Sequence, residues 1–398
     1  MDITVYPGKL QGTLRAIPSK SQAHRLLICA AFSDAETILW CEHTSQDIEA
    51  TVGCLRALGA EINQFNGGYR IVPISVFPSE VHLDCGESGS TLRFMLPIVC
   101  ALGIRTTFEL HGRLPYRPLS PLWEELERMG CPLSRPSETT IQTAGMLRAG
   151  DYTIAGNVSS QFISGLLFAL SLLKGKSRLH ITGKLESAPY VTMTLQALKQ
   201  FGVACDDFCI VNAYPFRSPG NIVVEGDWSN GAFFLTAAAL GHPITVENLD
   251  RNSAQGDREI ETLLRIQADL PTINCADIPD LVPILSIFFS TQKGAVFTEI
   301  GRLRIKESDR IQAILSMLTA LGIRALADTT TLTVYGGQIH GGVVDACNDH
   351  RIAMSAAIAA SVADEPITIL GAECVSKSYP AFWQEFKRLG GIYEQYIR

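Results

Sequence analysis

Six stretches of this chain repeat one design, in which a polar or charged cluster is followed by small and apolar residues and then by a β-like segment. The polar clusters begin at Lys20-Ser21, Gly89-Ser90, Ser159-Ser160-Gln161, Ser229-Asn230, Pro279-Asp280 and His350-Arg351. Runs that are apolar on all sides are typical of helices buried within a domain. A polar residue where such a run begins is typical of a helix N-cap. The pattern therefore predicts six buried helices with polar N-termini.

Buried helices whose polar N-termini converge form a strong site for anions, because free backbone N–H groups and the helix dipole both favour negative charge. Cations gather near these positions although the chain has a net charge of −7. They are Lys20, Arg25, Arg93, Arg117, Lys306, Arg310, Arg351 and Lys377. Arg binds phosphate and carboxylate groups through paired hydrogen bonds, and Lys supplies a point charge that can also move protons. The sequence therefore predicts binding of small, multiply charged anions.

A second set of six segments alternates with the first and is amphipathic at helical spacing. The segments are 48–60, 119–131, 190–203, 259–270, 309–323 and 379–392. Five contain a glycine near their end that suits the left-handed position closing a helix, and these are Gly59, Gly130, Gly202, Gly322 and Gly390. The fourth carries Ala268-Asp269 instead. The spacing of about seventy residues predicts six repeated α/β units, with unrelated amphipathic helices as the alternative.

Length and composition set the broad class of the protein. A chain of 398 residues is too long for one ordinary core, so two domains are expected. The net negative charge disfavours binding to nucleic acid or to a membrane surface, and no apolar run is long enough to cross a bilayer. Eleven cysteines without framework spacing indicate reduced thiols in a cytoplasmic protein, and they include no pattern typical of a metal site.

Nine short motifs follow one another between Pro18 and Pro380, and they read PSKSQAHRLLICAA, ESGSTLR, LPYRPLSPL, GNVSSQF, SAPYV, IPD, RLRIKESDR, NDHRIAM and SKSYP. In this order they resemble the motifs of the 5-enolpyruvylshikimate-3-phosphate synthase family. The resemblance implies an α/β fold of two similar domains, each with three repeated βαβαββ-type units around buried parallel helices. It places the first domain at residues 1–14 and 228–398 and the second at 15–227, with the substrate cleft between them. It also suggests a monomer.

The activity implied by this resemblance is transfer of the enolpyruvyl (carboxyvinyl) group of phosphoenolpyruvate to the 5-hydroxyl of shikimate 3-phosphate. Phosphate is released through a tetrahedral intermediate, without a metal or cofactor. The two substrates together carry about five or six negative charges. Negative charges a few Å apart repel by roughly 4 kcal/mol at intermediate dielectric. The cations near the helix starts would offset this repulsion between the two substrates.

The resemblance also assigns roles to individual residues. It implies that Asp280 is the base on the 5-hydroxyl, that Glu307 is the acid near the phosphoenolpyruvate methylene, and that Lys20 contacts both substrates and shuttles a proton. Shikimate 3-phosphate is expected to bind Lys20, Ser21, Arg25, Ser159, Ser160, Gln161, Ser187, Asp280 and Lys306. Phosphoenolpyruvate is expected to bind Lys20, Gly89, Arg117, Gln161, Arg310, Arg351 and Lys377.

For several of these residues a structural role is the alternative. Asp280 could cap the helix that follows it, a role compatible with that of a base, and Glu307 would pair with a neighbouring cation such as Arg310. Asp309 and Asp349 are expected to be helix caps or partners of arginines. Each alternative predicts contacts within the protein that a structure can show.

The chain departs from the common family pattern at two places. Many relatives read Asn-Ala-Gly-Thr where this chain has Glu87-Ser88-Gly89-Ser90. An acid beside an anionic ligand is unfavourable, so we expect Glu87 to point away or to pair with an arginine. Arg302 stands where some relatives carry Asn. Arg93, one turn into its helix, is expected to support the Gly89 loop.

Two other functions remain open at this point. An enolpyruvyl transferase acting on UDP-N-acetylglucosamine would share the fold, but that family carries a reactive Cys before its Arg-Pro sequence and an Asn after the N-terminal Lys. Here HGRLPYRP contains no Cys, and Ser21 follows Lys20. A non-catalytic repeat scaffold, such as a DNA clamp, would need a basic face, which a pI of about 5.7 disfavours.

Overall fold

The computed structural model of the protein describes residues 1–211 and 213–396. The chain divides into two compact units, of which unit 1 comprises Met1–Ile17 with Gly226–Arg398 and unit 2 comprises Pro18–Glu225. Each unit has its own hydrophobic core, built mainly from its helices and the inner faces of its sheets. No helix in the described part of the chain is long and apolar enough to span a membrane.

The strands are β1 (Asp2–Tyr6), β2 (Gly12–Arg15), β3 (Thr37–Trp40), β4 (Glu61–Phe65), β5 (Gly68–Val72), β6 (Glu80–Asp84), β7 (Arg105–Glu109), β8 (Leu133–Ser137), β9 (Thr140–Thr143), β10 (Asp151–Ala155), β11 (Lys176–Thr182), β12 (Cys205–Asp206), β13 (Cys209–Val211), β14 (Asn221–Val223), β15 (Ile244–Glu247), β16 (Thr272–Asn274), β17 (Gly294–Thr298), β18 (Ala325–Ala327), β19 (Thr331–Tyr335), β20 (Gly342–Asp345), β21 (Ile367–Leu370) and β22 (Ile392–Tyr396).

The α-helices are α1 (Lys20–Ala31), α2 (Gln46–Ala57), α3 (Gly89–Leu102), α4 (Leu122–Arg128), α5 (Ser160–Leu172), α6 (Ala188–Gln200), α7 (Trp228–Ala239), α8 (Ile260–Leu263), α9 (Val282–Ser290), α10 (Arg310–Ala320), α11 (His350–Ala360) and α12 (Phe382–Arg388). Short 3₁₀ helices are η1 (Leu114–Tyr116), η2 (Gly256–Glu259), η3 (Gly301–Ile305) and η4 (Ala372–Lys377).

In the described part of the chain, five sheets share one four-stranded pattern, in which a parallel pair of strands is extended by an antiparallel pair. Their strand orders are β6-β7-β9-β8, β10-β11-β13-β12, β14-β3-β5-β4, β16-β17-β19-β18 and β20-β21-β1-β22. The first two strands in each order are parallel and the remaining neighbours are antiparallel. The sixth sheet is only the parallel pair β15-β2. The predicted α/β fold with six repeated units is confirmed.

The fourth repeat along the chain is shorter than the others, and the helix predicted at 259–270 is wrong over most of its length. This segment forms only the end of η2 and the four residues of α8. Ile260 is its one buried apolar side chain, and Leu270 takes a left-handed φ of 50°. Because the stability of a helix in a protein comes mainly from packing of its apolar face, a segment without a hairpin to pack against has little to hold it helical.

The six buried helices form where the polar-to-apolar pattern predicts them, α1, α3 and α5 in unit 2 and α7, α9 and α11 in unit 1. Side chains cap five of these helices at Ser19, Ser88, Ser159, Asp227 and Asp349. Helix α9 begins after Leu281 without a side-chain cap. The glycines after the five well-formed outer helices all have positive φ, as predicted.

A buried histidine, His242, lies just after α7 and forms hydrogen bonds to the segment between β1 and β2 and to the C-terminal end of α11. Its Nδ1 accepts a hydrogen bond from the backbone N–H of Leu10 at 3.1 Å, and its Nε2 lies 2.8 Å from Oγ of Ser361. Burial, followed by the charge of Lys9, lowers the pKa of His242. Folding therefore favours the neutral ring, since a proton on Nδ1 would remove the acceptor that Leu10 needs.

We predict that His242 makes the folded protein less stable in mild acid. A histidine whose folded pKa is lowered contributes its full stability above the unfolded pKa of about 6.5 and loses it as pH falls, by up to about 1.4 kcal/mol per pH unit. Urea unfolding of wild type and His242→Gln at pH 7.5 and 5.5 measures this, and the variant should lose less stability on acidification. The exposed His43→Gln is the control. Equal pH dependence in wild type and His242→Gln would contradict the prediction.

Candidate active site

One buried arginine organises the polar cluster of unit 1. Arg310, the first residue of α10, is fully buried. Its Nε donates to Oδ2 of Asp349 at 2.9 Å, its Nη1 to Oδ1 of Asp280 at 2.8 Å, and its Nη2 to Oε2 of Glu307 at 2.6 Å. Three carboxylates thus meet one guanidinium, and the excess negative charge favours further cations nearby.

Three cations lie against the carboxylate of Asp280. Arg310 and Lys306 approach its Oδ1, at 2.8 and 3.5 Å, and Nη2 of Arg351 donates to its Oδ2 at 2.9 Å. Burial by itself would raise the pKa of Asp280, but Arg351, Lys306 and Arg310 hold it well below its ordinary value. The α9 helix has its N-cap at Leu281 and no side-chain cap, so the interpretation of Asp280 as a helix cap is wrong.

The cations of this cluster respond to burial in different ways. Burial lowers the pKa of Lys306 to about 8, although Asp280 opposes the shift, and Arg310 adds to it. Burial also acts to lower the pKa of Arg310, but Asp349, Glu307 and Asp280 together raise it above its ordinary value. Lys306 can therefore exchange a proton near neutral pH, whereas Arg310 keeps its charge.

The start of α11 is fixed from several sides. Asp349 caps the helix by accepting from the backbone N–H of Arg351 at 3.0 Å, and its Oδ2 also accepts from Oγ of Ser308 at 3.0 Å. Just before it, Asn348 takes a left-handed φ of 55°, and its carbonyl accepts from Nζ of Lys377 at 2.9 Å. Asp349 is thus both a helix cap and an arginine partner, as predicted. Left-handed backbone at a non-glycine residue is strained and concentrates at functional sites.

One acid near this cluster, Asp257, was not predicted from the sequence. Asp257 lies in η2, is fully buried, and accepts a hydrogen bond from the hydroxyl of Ser229 at the start of α7. Burial, followed by the charge of Asp280, raises the pKa of Asp257 to about 7. Nothing in the surrounding residues distinguishes Asp257 from the exposed acids that follow it, so only the structure brings it to notice.

In unit 2, Lys20 is the first residue of α1, and its Nζ lies 2.8 Å from Oδ2 of Asp47 in the first turn of α2. Sequence reasoning missed Asp47, because an acid in a first helical turn is common for reasons of the helix dipole alone. Both side chains are mostly buried, with 15% and 17% exposed. The pair fixes the ammonium group of Lys20 at the N-terminal end of α1.

The guanidinium group of Arg25 donates hydrogen bonds to other residues of the protein. Its Nε donates to Oγ1 of Thr194 at 2.8 Å, its Nη1 to the carbonyl of Ser21 at 2.6 Å, and its Nη2 to the carbonyl of Tyr190 at 2.9 Å. Burial lowers its pKa to about 10. The described contacts make Arg25 a connection between α1 and α6, and its direct contact with a substrate stays a prediction.

The N-termini of α3 and α5 are joined by Gln161. Its Oε1 accepts from Nη1 of Arg93 at 3.1 Å, and its Nε2 donates to Oγ of Ser90 at 2.9 Å. Arg93 also donates to the carbonyl of Pro118 at 3.2 Å. Arg93 therefore supports the loop at Gly89, as predicted.

Gly89 begins α3 with two guanidinium groups directly against its backbone. A Cβ added there would lie 2.5 Å from Nη1 of Arg93 and 2.6 Å from Nη1 of Arg117. Only glycine leaves both groups in place. A helix N-terminus flanked by two arginines is well suited to bind a phosphate or carboxylate.

The unusual Glu87 packs against the next loop. A Cβ added at Gly112 would lie 2.5 Å from Oε2 of Glu87, so the carboxylate rests on the Gly112 backbone. Gly112 has a φ of 54°, a conformation that also favours glycine. The side chain of Glu87 therefore lies against the loop that contains Gly112 and leads to Arg117.

The remaining serines lie at two helix N-termini. Ser159 caps α5 by accepting from the backbone N–H of Gln161 at 3.3 Å, and Ser160 is the first residue of that helix. Ser187 precedes α6 with a left-handed φ of 53°, is 1% exposed, and makes no side-chain cap.

The predicted residues fall into both units. Unit 1 contains Asp280, Lys306, Glu307, Arg310, Arg351 and Lys377, and unit 2 contains Lys20, Ser21, Arg25, Gly89, Arg117, Ser159, Ser160, Gln161 and Ser187. In unit 1 the structure brings the first five into one hydrogen-bonded cluster, and Lys377 holds the loop before α11. In unit 2 Gln161 is hydrogen-bonded to Arg93 and Ser90 of α3, and Arg117 lies against Gly89 at the start of that helix. Ser187 lies at the N-terminus of a different helix, α6.

The chain is similar in sequence to enzymes of one family. The family model described as EPSP synthase (3-phosphoshikimate 1-carboxyvinyltransferase) matches residues 5–386. The 3-phosphoshikimate 1-carboxyvinyltransferase of Clostridium kluyveri is 38% identical over 99% of this chain and 98% of that protein. The Clostridium perfringens protein of the same name is 39% identical over 98% of each chain.

Solved structures share the fold at lower identity. The structure of EPSP synthase from Acinetobacter baumannii aligns with a TM-score of 0.80 at 24% identity, covering 99% of this chain and all of that one. The enolpyruvyl transferase NikO from Streptomyces tendae aligns with a TM-score of 0.76 at 16% identity, covering 99% of this chain and 98% of that one. Family match, relatives and fold agree, and the chain belongs to the EPSP synthase (3-phosphoshikimate 1-carboxyvinyltransferase) family.

Proposed function

We propose that the protein transfers the enolpyruvyl group of phosphoenolpyruvate to the 5-hydroxyl of shikimate 3-phosphate and releases phosphate, as a step in aromatic amino-acid biosynthesis. Membership of the EPSP synthase family supports this activity. The observation that carries it is the cluster in unit 1, where the carboxylate of Asp280 is held by Lys306, Arg310 and Arg351. That cluster combines cations for anionic substrates with a carboxylate suited to accept a proton.

A set of binding residues is proposed for each substrate. Shikimate 3-phosphate is bound by Lys20, Ser21, Arg25, Ser159, Ser160, Gln161, Ser187, Asp280 and Lys306. Phosphoenolpyruvate is bound by Lys20, Gly89, Arg117, Gln161, Arg310, Arg351 and Lys377. Support comes from the helix N-termini at Gly89 and Ser160 and from the cations gathered around them.

Asp280 becomes a base only when the substrates arrive. With three cations on its two oxygens, its pKa lies well below the ordinary value, and such a carboxylate is a weak base. The phosphate and carboxylate groups of the substrates compete for the same cations and add negative charge nearby. Both effects raise the pKa of Asp280, so that it can take the proton from the 5-hydroxyl as that oxygen attacks C2 of phosphoenolpyruvate.

Glu307 supplies the proton for C3 of phosphoenolpyruvate under a similar condition. In the structure its Oε2 accepts from Nη2 of Arg310 at 2.6 Å, which is the ion pair expected of a structural role. For Glu307 to act as an acid, the carboxylate of phosphoenolpyruvate has to replace it on Arg310, because the ion pair favours the ionised form. Lys20, shared by both substrates in this proposal, then stabilises the charge of the tetrahedral intermediate. As the C2–O bond to phosphate breaks, the carboxylate of Glu307 takes one proton back from the C3 methyl group, and the C2=C3 double bond forms again.

Several narrower statements stay predictions. They are that the enzyme lies in the cytoplasm, that it works as a monomer, and that it binds no nucleic acid or membrane. The net charge of −7 supports the last of these.

Phosphate release tests the proposed reaction. Purified protein is given phosphoenolpyruvate with either shikimate 3-phosphate or UDP-N-acetylglucosamine, in the presence of a chelator. We expect phosphate to appear only with shikimate 3-phosphate. Release only with the nucleotide sugar would overturn the acceptor, and release with neither would overturn the activity.

We predict that Gly89→Ala weakens phosphoenolpyruvate binding. The added methyl group would displace the guanidinium groups of Arg93 and Arg117, and loss of one charge-assisted contact corresponds to a KM increase of about tenfold for phosphoenolpyruvate. The control is Gly53→Ala on α2, where an added Cβ meets nothing within 4 Å. Steady-state kinetics measures both, and an unchanged KM in Gly89→Ala would show that the two guanidinium groups can shift without consequence.

A further inference from the structure

A chain of buried hydrogen bonds runs beneath the anion-binding side chains of unit 2. Nδ1 of His24 lies 2.7 Å from Oγ1 of Thr51, which lies 2.7 Å from Oγ1 of Thr91, and Thr91 donates to Oγ of Ser88 at 2.8 Å. All four side chains are 0% exposed. We call His24, Thr51, Thr91 and Ser88 the hydroxyl chain. None of them belongs to the residues proposed to touch a substrate.

The hydroxyl chain joins the places where the proposed phosphoenolpyruvate ligands are mounted. His24 lies one turn after Lys20 on α1, and Thr51 lies one turn after Asp47 on α2, so these helices are tied both at Lys20–Asp47 and at His24–Thr51. Residues one turn apart share a helix face. The second tie therefore lies directly below the ion pair that fixes Lys20.

The other end of the hydroxyl chain fixes the start of α3. Ser88 is the N-cap of that helix and accepts from the backbone N–H of Thr91 at 3.2 Å as well as from its hydroxyl. The hydroxyl of Thr91 also lies 3.4 Å from the carbonyl of Asp47. Gly89 stands between Ser88 and Thr91, so the same bonds set the position of Gly89 relative to Asp47.

The donors and acceptors follow a single direction. A hydroxyl has one hydrogen, so Thr91, which donates to Ser88, accepts from Thr51, and Thr51 in turn accepts from His24. His24 therefore carries its proton on Nδ1, and its buried Nε2 has no hydrogen-bond partner among the residues that the structure describes. A second proton would place an uncompensated charge in the core, and burial holds the pKa of His24 well below its usual value.

We propose that the hydroxyl chain is a positioning device that holds Lys20 and the N-terminus of α3 at Gly89 in one fixed arrangement, so that both bind the same phosphoenolpyruvate. The proposal rests on the proposed function. Its physical basis is that buried hydrogen bonds in a series strengthen one another and that each leaves an unpaired polar group when broken. The three helices α1, α2 and α3 can then shift relative to one another only at a high cost.

Removing the middle hydroxyl tests the proposal by kinetics. Thr51→Val keeps the size of the side chain but breaks the hydroxyl chain, and we expect kcat/KM for phosphoenolpyruvate to fall about tenfold. Thr51→Ser keeps the hydroxyl and should stay within about twofold of wild type. The matched control is Thr106→Val, which removes an equally buried hydroxyl on β7, bonded to the carbonyl of Ile104 at 3.1 Å. Equal kinetics in Thr51→Val and Thr106→Val would overturn the positioning role while leaving the proposed function intact.

A second measurement does not depend on turnover. Inorganic phosphate is titrated against protein labelled for NMR, with the backbone N–H signals of Gly89 and Ser90 as the readout of the α3 site. The proposal expects phosphate to bind about tenfold more weakly to Thr51→Val than to wild type or Thr106→Val, together with loss of the hydrogen-bonded Nδ1–H signal of His24. Equal phosphate affinity in the two valine variants would overturn it, even if the wild type proved inactive as a transferase.

Discussion

The buried guanidinium of Arg310 is the interaction on which the polar architecture of unit 1 depends. It bonds Asp349 at the start of α11, Asp280 just before α9 and Glu307 before α10, and so ties three helix N-termini to one point. A buried charge is tolerated only when it is paired and hydrogen-bonded, so each carboxylate depends on the others being in place. Arg351 and Lys306 complete the pairing around Asp280.

The same arrangement connects binding with catalysis. An enzyme that handles two multiply charged anions needs cations, but cations suppress the basicity of any carboxylate beside them. Here they hold the pKa of Asp280 well below its ordinary value in the unliganded protein. In our account the substrates relieve that suppression by taking over the cations, so the base gains strength only in the complex. Unit 2 has no comparable cluster of carboxylates among its described contacts, and the anion site that we propose there rests on helix N-termini and the arginines beside Gly89.

Much of the fold could be predicted from the sequence because the repeat is strong. An apolar run after a polar cap fixes a buried helix, and a glycine fixes the end of an outer helix, whatever the distant contacts. The prediction of a helix at 259–270 was wrong because the sheet beside this amphipathic segment lacks the antiparallel pair of strands that the other sheets have. A local sequence pattern does not show which elements a helix will pack against. The positions of the polar clusters before the six buried helices were predictable for the same reason, because each cluster stands where an apolar run begins.

The sequence indicated that Glu307 and Asp349 pair with arginines, but the partners of the other residues could not be predicted. Asp280 looked like a possible helix cap, and only the structure shows that its oxygens face Arg310 and Arg351. Asp47 and Asp257 went unnoticed because long-range pairing decides their roles. Arg25 is bonded to α6, nearly 170 residues away along the chain (Thr194 follows Arg25 by 169 residues).

The most direct test of this account is the pKa of Asp280 itself. Carboxyl carbons of aspartate are labelled with ¹³C, and the signal of Asp280 is assigned with Asp280→Asn. Its titration is followed in the free protein and with saturating shikimate 3-phosphate together with an unreactive analogue of phosphoenolpyruvate, so that all three cations on Asp280 are engaged. We expect Asp280 to remain ionised well below its ordinary pKa in the free protein and to titrate at clearly higher pH in the complex. An equally low pKa in the complex would contradict the account, because Asp280 would then be too weak a base to take the proton from the 5-hydroxyl.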